Sequence, residues 1–553
     1  MAINQAKTMG AESLADAGRW GEAAEAYAKL VETGLSNYLL HFNYGTVLMN
    51  WGRFKEGREQ LLAALQYQPD SLEALNNLAG ANLKLGNACA AEEVCRRILA
   101  VQPGFHTAWT NLGVALTYQG RIIEGIEAMK RALEIAPEDW IARDNLLLNL
   151  NYTATDGNDL ADVHHLLCAY LPSAPRRPMP DAAGRRIRVG YVSSDFRGHS
   201  VAYFMAGVIG THDRSAFEVF CYSMTSSPDW MTKNFVRMAE HFVDLATCSD
   251  PEAATRIEAD QVDILVDLGG HTTGNRLGIF ALRPAPVQVS YLGYPATTGC
   301  SFIDYRLVDG LTDPDGSDSY STERLVRLPA PFLCYYPHPD SPPTAPLPAL
   351  GNGYITFGSF NHSSKISDDT LDLWSRVLAE VPDSRLFIKS RPFTDEAVCE
   401  RFLQRFAQRN ADTSRISLSG LIENPMGHLA AYGKIDIALD TFPYNGTTTT
   451  CEALWMGVPV ISLVGNLHAA RVGHTILTAV GLGDLAATSA DDFVGLAAAF
   501  SEDKHQLADL RNQLRKVVEH SPLCDRFRLT RGLENAYREM LAPESKDRDS
   551  REV

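Results

Sequence analysis

The stretch 436–453, DIALDTFPYNGTTTTCEA, gathers residue types that can hold a phosphorylated ligand. Residues 435–439 form an apolar run suited to a buried strand. Pro443, Asn445 and Gly446 are turn formers. Thr447, Thr448, Thr449 and Thr450 then lead into Cys-Glu-Ala-Leu-Trp, a helical pattern. A helix start leaves backbone N–H groups unpaired at the positive end of its dipole. With hydroxyls beside them, such N–H groups make a place for phosphate. Glu452, about one turn in, carries a carboxylate that could accept from ribose hydroxyls. The ordinary alternative is a threonine N-cap followed by Glu at a capping-box position.

Two histidines stand where proton transfer could be done, since imidazole titrates near neutrality. His199 lies in the loop SSDFRGHS after an apolar run at 187–192, and His271 lies in GGHTTG after a similar run at 262–266. Loops that leave strands are where catalytic residues gather, although either histidine could instead cap a helix. Asp313-Pro314-Asp315 could hold a divalent metal, but its Pro- and Gly-containing setting reads as turn chemistry. Arg283 and Arg391 are further cations, suited equally to ligand or to ion pairs. Lys365, taken alone, reads as a solvent-exposed lysine ahead of a Ser367 N-cap. His164 and His165 are adjacent on a helical stretch and so do not share a face, which makes them a poor metal pair. The ten cysteines contain no CxxC pair, which suits free thiols in a reducing compartment better than disulfides or zinc. No metal site and no cofactor is expected.

The elements that must position these residues follow from periodicity. Gly18, Gly52, Gly86 and Gly120 recur every 34 residues, as do Asn43, Asn77, Asn111 and Asn145, and Pro69, Pro103 and Pro137 keep the same step. With Trp109-x-x-Leu112-Gly113, this matches tetratricopeptide repeats, paired helices that stack into a superhelix with a concave face. The array covers 1–150, and Asn77, Asn111 and Asn145 could form a ladder that grips an extended peptide backbone, or could pair between repeats. Four to five repeats could serve docking, self-association or both. A capping helix and Pro-rich linker follow at 151–185, with Pro172, Pro175, Pro178 and Pro180. Strand runs alternate with helical segments over 186–335, and again over 353–553 after a Pro-rich joint at 336–352. That alternation argues for two parallel α/β halves, with ligand at the C-terminal ends of their strands. The net charge of −17 argues against a broad nucleic-acid face. No apolar run is long enough for a membrane helix, and the first twenty residues contain no apolar leader core. A cytoplasmic protein is expected.

Five blocks in order, namely the repeats, VGYVSSDFRGHSVAYF, FALRPAPVQVSYLGYPATTG, SFNHSSKIS and LDTFPYNGTTTTCEALWMGVPV, resemble the O-linked N-acetylglucosamine transferase and SPINDLY family, in particular a bacterial homologue. The resemblance spans essentially the whole chain. It implies a GT-B fold of two Rossmann-like lobes facing across a cleft, placed after the repeats. It also implies inverting transfer of N-acetylglucosamine from a UDP-sugar to Ser or Thr of a protein. Carried over residue by residue, it puts Lys365 on the β-phosphate, Gly446, Thr448 and Thr449 in the phosphate turn, Glu452 on the ribose and His428 near the base. Leu292, Gly293, Tyr294 and Pro295 fall beside the sugar, and His199 falls at the proposed base. Inverting transfer is one in-line displacement, so without metal the leaving diphosphate must meet donors fixed in advance, here Lys365 and the 446–450 turn.

The chain also departs from the family pattern. His362 replaces a glutamine, Thr447 replaces a histidine of the animal enzymes, and Pro425 and Ala431 stand where a lysine and an arginine frame the base. The animal histidine-rich joint has no counterpart in LLLNLNY (146–152). These positions leave open GDP-fucose, the donor of the SPINDLY branch, or UDP-glucose, and a repeat scaffold that binds nucleotide without transfer.

Overall fold

The computed structural model describes residues 2–169, 171, 173–179 and 184–542. Pro172 and Pro180 of the expected linker lie outside the described residues. The repeats are the helix pairs Ala2–Asp16 and Trp20–Glu32, Tyr38–Asn50 and Phe54–Tyr67, Leu72–Leu85 and Ala88–Val101, and His106–Tyr118 and Ile122–Ile135, followed by Trp140–Leu150. The recurring glycine ends the first helix of each pair. Gly18, Gly52, Gly86 and Gly120 take φ of +69°, +81°, +88° and +76°, a left-handed conformation that glycine adopts without a Cβ penalty. The recurring prolines fall in the turns after the second helices, where a missing N–H breaks no helical bond. Ser71 and Asp139 cap the helices that follow two of these turns.

Two compact units emerge. One comprises Met1–Thr155, Pro339–Leu477 and Leu482–Val517; the other comprises Asp156–His338, Thr478–Gly481 and Val518–Val553. The repeats thus share a unit with the second α/β half. The helix Gly157–Cys168, expected to cap the array, belongs to the unit of the first half, where the His164 ring bonds Tyr294 Oη at 2.7 Å. The last helix, Arg526–Leu541, also joins that unit although it follows the second sheet in the chain. Its Glu534 carboxylate bonds His212 Nδ1 at 3.0 Å, and its Tyr537 hydroxyl meets Tyr191 Oη at 3.2 Å.

The first sheet contains β1 (Ile187–Ser193), β2 (Phe217–Ser223), β3 (His241–Asp244), β4 (Ile264–Asp267), β5 (Val287–Tyr291), β6 (Tyr305–Asp309) and β7 (Arg324–Leu328), in the order β3-β2-β1-β4-β5-β6-β7. The second contains β8 (Thr356–Ser359), β9 (Arg385–Lys389), β10 (Ile416–Ser419), β11 (Ile437–Leu439), β12 (Val460–Leu463) and β13 (Ala486–Ala487), in the order β10-β9-β8-β11-β12-β13. The strand pairs in register are parallel, from Ile187 opposite Phe217 to Ser462 opposite Ala486. The central strands are apolar on both faces, as helix-covered parallel sheets require. Strand order reverses between β1 and β4 and between β8 and β11. Ligands bind such sheets at the loops leaving the strands of a reversal. Those loops carry His199 and His271 in one unit, and Lys365 and the threonine turn in the other.

Because the left-handed conformation costs a residue with a Cβ roughly 1–2 kcal/mol, Gly52→Ala is expected to destabilise the array by about that much. A lowered unfolding temperature with unchanged far-ultraviolet circular dichroism would report it. An unaltered melting temperature would refute the role assigned to the positive φ.

Candidate active site

In the unit that holds the second sheet, the chain leaves β11 at Asp440 and enters the helix Thr448–Trp455 through the expected turn. The buried Asp440 carboxylate organises that turn. Its Oδ1 accepts from the N–H of Gly446 at 2.7 Å, the N–H of Thr441 at 2.9 Å and Asn361 Nδ2 at 3.1 Å. Its Oδ2 accepts from Ser462 Oγ at 2.9 Å. Burial raises its pKa, while these donors and the Lys365 charge favour the ionised form. Thr449 Oγ1 donates to Asn361 Oδ1 at 2.7 Å, and Thr450 Oγ1 to the Gly446 carbonyl at 3.0 Å. Gly446 is pinned so closely that a Cβ would stand 2.6 Å from Thr449 Oγ1. Thr447 makes no side-chain cap bond, and Glu452 points elsewhere, so the capping-box alternative does not describe this helix start.

Lys365 is not the solvent-exposed lysine that its local sequence suggests. It ends a short turn after β8, donates from Nζ to the Asn445 carbonyl at 2.8 Å and lies 4.0 Å from the centre of the Tyr444 ring. Burial pushes its pKa down to about 8, against the pull of Asp440. Ser367 caps the next helix as expected, accepting from the N–H of Thr370. His362 is held neutral, pushed down to about 4 by burial and then by the charges of Lys365 and Arg391.

His428 and Glu452 meet: Nε2 lies 2.9 Å from Oε2, on which Tyr432 Oη also converges at 3.3 Å. The Phe360 ring packs on Tyr432 at 4.2 Å between centroids, with Lys389 Nζ 5.2 Å from the centre of the Phe360 ring. Phe360, Lys389, Tyr432, Asn361 and Asp440 were not singled out from sequence. Lys389 alone left a signal, a lysine ending the otherwise apolar RLFIK. Pro425 opens the helix Pro425–Ala430 and Ala431 is buried, so neither position carries a cation.

The repeats reach this site within the same unit. The Tyr118 ring meets His362 edge-on at 4.8 Å, Ser363 Oγ donates to the Tyr118 carbonyl, and Tyr152 packs against Tyr444 at 5.3 Å. Arg391 donates to the Lys84 carbonyl at 3.1 Å, an attachment of the array rather than a ligand contact. The asparagines are half-buried. Asn77 Nδ2 donates to Thr46 Oγ1 and Asn111 Nδ2 to Asn76 Oδ1, each on the preceding repeat, while Asn145 Nδ2 donates to its own helix at Ile141.

In the other unit, His199 is the N-cap residue of the helix Ser200–Ile209, with Nδ1 3.4 Å from the N–H of Val201 and 3.4 Å from Asp195 Oδ2. Its side chain keeps 39% of its surface exposed. Burial of the rest lowers its pKa, which Asp195 opposes and Arg197 reinforces. His271 is 1% exposed, and its Nε2 meets the Thr298 carbonyl at 2.7 Å. Leu292 adopts φ +71°, a strained value for a residue with a Cβ. The Gly293 N–H bonds the Tyr291 carbonyl, Pro295 is half-buried, and buried Tyr294 stands against His164 and His271. Asp313 is buried and paired with Arg306 while Asp315 is exposed, so the pair forms a turn and does not converge. Arg283 pairs with Asp304 at 2.9 Å. Among the described residues, no helix is long and apolar enough to cross a membrane.

Comparison with known proteins shows the family and the fold. The profile described as glycosyl transferase family 41 matches residues 171–336 and 347–533, and tetratricopeptide profiles match 45–104 and 106–139. A rice protein, named probable UDP-N-acetylglucosamine–peptide N-acetylglucosaminyltransferase SPINDLY, is 42% identical over 425 residues, which is 75% of this chain and 46% of that one. The Caenorhabditis elegans UDP-N-acetylglucosamine–peptide N-acetylglucosaminyltransferase is 28% identical, over 62% of this chain and 39% of its own. The chain thus spans about half the length of the curated relatives it matches, or less. A mutant of the Thermobaculum terrenum O-GlcNAc transferase superposes with a TM-score of 0.85 at 34% identity, covering 91% of this chain and 97% of that one.

A diphosphate held at this turn would favour the protonated form of Lys365, which is lost as pH rises through about 8. UDP affinity measured by calorimetry is therefore expected to weaken above pH 8, approaching tenfold per pH unit. Lys365→Met should flatten the profile and cost roughly 1.5–3 kcal/mol at pH 7. An identical pH profile in both proteins would remove Lys365 from the site.

Proposed function

The chain belongs to glycosyl transferase family 41, and on that premise we propose that it moves N-acetylglucosamine from UDP-N-acetylglucosamine to Ser and Thr hydroxyls of proteins, with inversion. The observation that carries this reading is the Lys365 ammonium held beside the 446–449 turn at the end of β8 and β11. The acceptor oxygen bonds the anomeric carbon as the bond to the β-phosphate oxygen breaks. The hydroxyl proton passes to a base, and the added charge on the leaving UDP is met by Lys365, the Thr447 and Thr448 hydroxyls and the backbone N–H groups of the helix start through Thr449. Donors fixed in this way are typically worth about 3–4 kcal/mol each. Glu452 and His428 are assigned to the nucleoside, His362 to the phosphates, and the strained segment from Leu292 through Gly293 and Tyr294 to Pro295 to the sugar. The step uses no metal.

His199 is the proposed base. Asp195, 3.4 Å from the ring, steadies the imidazolium that forms when His199 takes the acceptor proton. Its lowered pKa keeps it neutral at pH 7. His271, buried on a carbonyl, serves to hold its loop. The protein acceptor is taken by the repeat array, with Asn77, Asn111 and Asn145 on its path, and a second copy of the chain is the alternative partner for the same array. The described cysteines are free thiols, which favours a cytoplasmic setting. A second reading keeps the mechanism but takes GDP-fucose, favoured by the absence of a cation at Pro425 and Ala431.

Transfer assays with UDP-N-acetylglucosamine, UDP-glucose and GDP-fucose, together with UDP and GDP affinities, test the donor. The first sugar should turn over fastest, and preference for GDP and fucose transfer would replace the first reading with the second. His199→Ala should cut turnover about 10²–10⁴-fold with UDP affinity and melting temperature nearly unchanged. A loss under about tenfold in a stable variant would rule His199 out. Replacing Asn77, Asn111 and Asn145 together with Ala should raise KM for protein acceptors and leave UDP binding intact. An unchanged acceptor KM in the folded triple variant would make the amides links between repeats only.

A further inference from the structure

Away from the proposed transfer chemistry, three buried side chains from distant parts of the sequence converge. Cys168 ends the helix Gly157–Cys168, His271 lies in the loop after β4, and Cys300 lies in the loop after β5. Their two Sγ atoms and one imidazole nitrogen fall within 4.8 Å of one another, and Cys168 Sγ is 3.7 Å from His271 Nε2. The Thr298 carbonyl oxygen stands among them, 3.2 Å from Cys168 Sγ, 3.4 Å from Cys300 Sγ and 2.7 Å from His271 Nε2. A carbonyl oxygen offers two lone pairs, so three donors crowd one acceptor.

Tetrahedral zinc, with Zn–S of about 2.3 Å and Zn–N or Zn–O of about 2.0–2.2 Å, sets its ligand atoms roughly 3.3–3.8 Å apart. The distances of Cys168 Sγ to His271 Nε2 and of both sulfurs to the Thr298 oxygen approach that figure, and the imidazole-to-carbonyl distance would have to lengthen by about half an ångström. Two thiols and an imidazole are the soft set that selects zinc over magnesium or calcium. We propose that Cys168, His271, Cys300 and the Thr298 carbonyl form a structural zinc site. On binding, both thiols release their protons to solvent, the His271 proton shifts from Nε2 to Nδ1 so that Nε2 can ligate, and two thiolates balance the charge of Zn²⁺. The closed centre is then neutral and suits a dry interior, where an unbalanced charge would not.

Such a centre would tie the end of the helix to the loops after β4 and β5. One turn earlier on the same helix, His164 bonds the Tyr294 hydroxyl at 2.7 Å, so the clamp would also brace the 292–295 segment. The ligands are separated by 103 and 29 positions, a spacing without the short Cys-x-x-Cys signature by which zinc sites are read from sequence.

The full chain, kept reduced, reconstituted with Zn²⁺ and dialysed against metal-free buffer, is expected to retain one zinc per chain and to melt at a higher temperature than the stripped protein. Co²⁺ in place of zinc should give a thiolate-to-metal charge-transfer band with tetrahedral visible absorption. Cys168→Ser and Cys300→Ser should each weaken zinc at least tenfold in chelator competition, while Cys399→Ser, in the other unit, should retain wild-type affinity. If a variant fails to fold, the wild-type cobalt spectrum decides alone. Absence of retained zinc, cobalt binding without the charge-transfer band, equal zinc affinity in the Cys168→Ser/Cys300→Ser double variant, or a Cys168–Cys300 disulfide in reduced, zinc-treated protein would each overturn the proposal.

Discussion

The buried carboxylate of Asp440 is the constraint on which the 440–449 turn depends. It sits at the end of β11, where a lone charge would be costly, and is tolerated because two backbone N–H groups, an amide and a hydroxyl point at it. Those bonds fix Gly446 and Asn361. Asn361 in turn receives the Thr449 hydroxyl, which sets the first turn of the helix Thr448–Trp455. The cation follows the same logic. Lys365 is drawn inward by the Asn445 carbonyl and the face of Tyr444, and its interaction with Asp440 partly offsets its own desolvation. A turn with its charges fixed before any ligand arrives need not reorganise when charge develops on a leaving group.

The same economy joins the repeats to the turn. Tyr118 closes a first-helix segment of the array and meets His362, three residues before Lys365, while Tyr152 packs on Tyr444, whose other contact is the Lys365 ammonium. Two aromatic side chains from the end of the array therefore bracket the lysine turn. The array is part of the wall that holds the lysine turn in shape. Coupling of that kind fits a unit that contains both the repeats and the second sheet.

How much was legible follows from which signals are local. Central strands such as β1, β4 and β12 were readable because both faces are buried and the sequence runs apolar. The edge strands β3, β7 and β13 were missed: HFVD and RLVRL are half-polar, and β13 is two alanines long. The 34-residue period was unmistakable, and its glycines proved to be left-handed helix ends. The asparagines kept the same period, but whom their amides bond depends on neighbours a whole repeat away. Lys365 shows the limit most clearly, since nothing local to SSKIS indicates an aromatic face and a carbonyl eighty residues on. The partners of the helices Gly157–Cys168 and Arg526–Leu541 were hidden for the same reason: amphipathic pattern says that a face is buried, not against what.

The two histidines complete the argument, because sequence presented them as near equals. Both follow a strand at the reversal of the first sheet, in glycine-containing loops. Their difference lies in what each ring nitrogen meets. His271 is enclosed, with Nε2 on a carbonyl and sulfur beside it, an environment that suits a fixed tautomer or a soft metal and offers an acceptor hydroxyl no way in. His199 is more than a third open, and the Asp195 carboxylate lies 3.4 Å from its Nδ1. General-base work needs both properties at once, an accessible lone pair and a carboxylate to steady the imidazolium that forms. Within this unit, and of these two histidines, His199 alone combines them, so burial separates the roles that residue type and loop position left together.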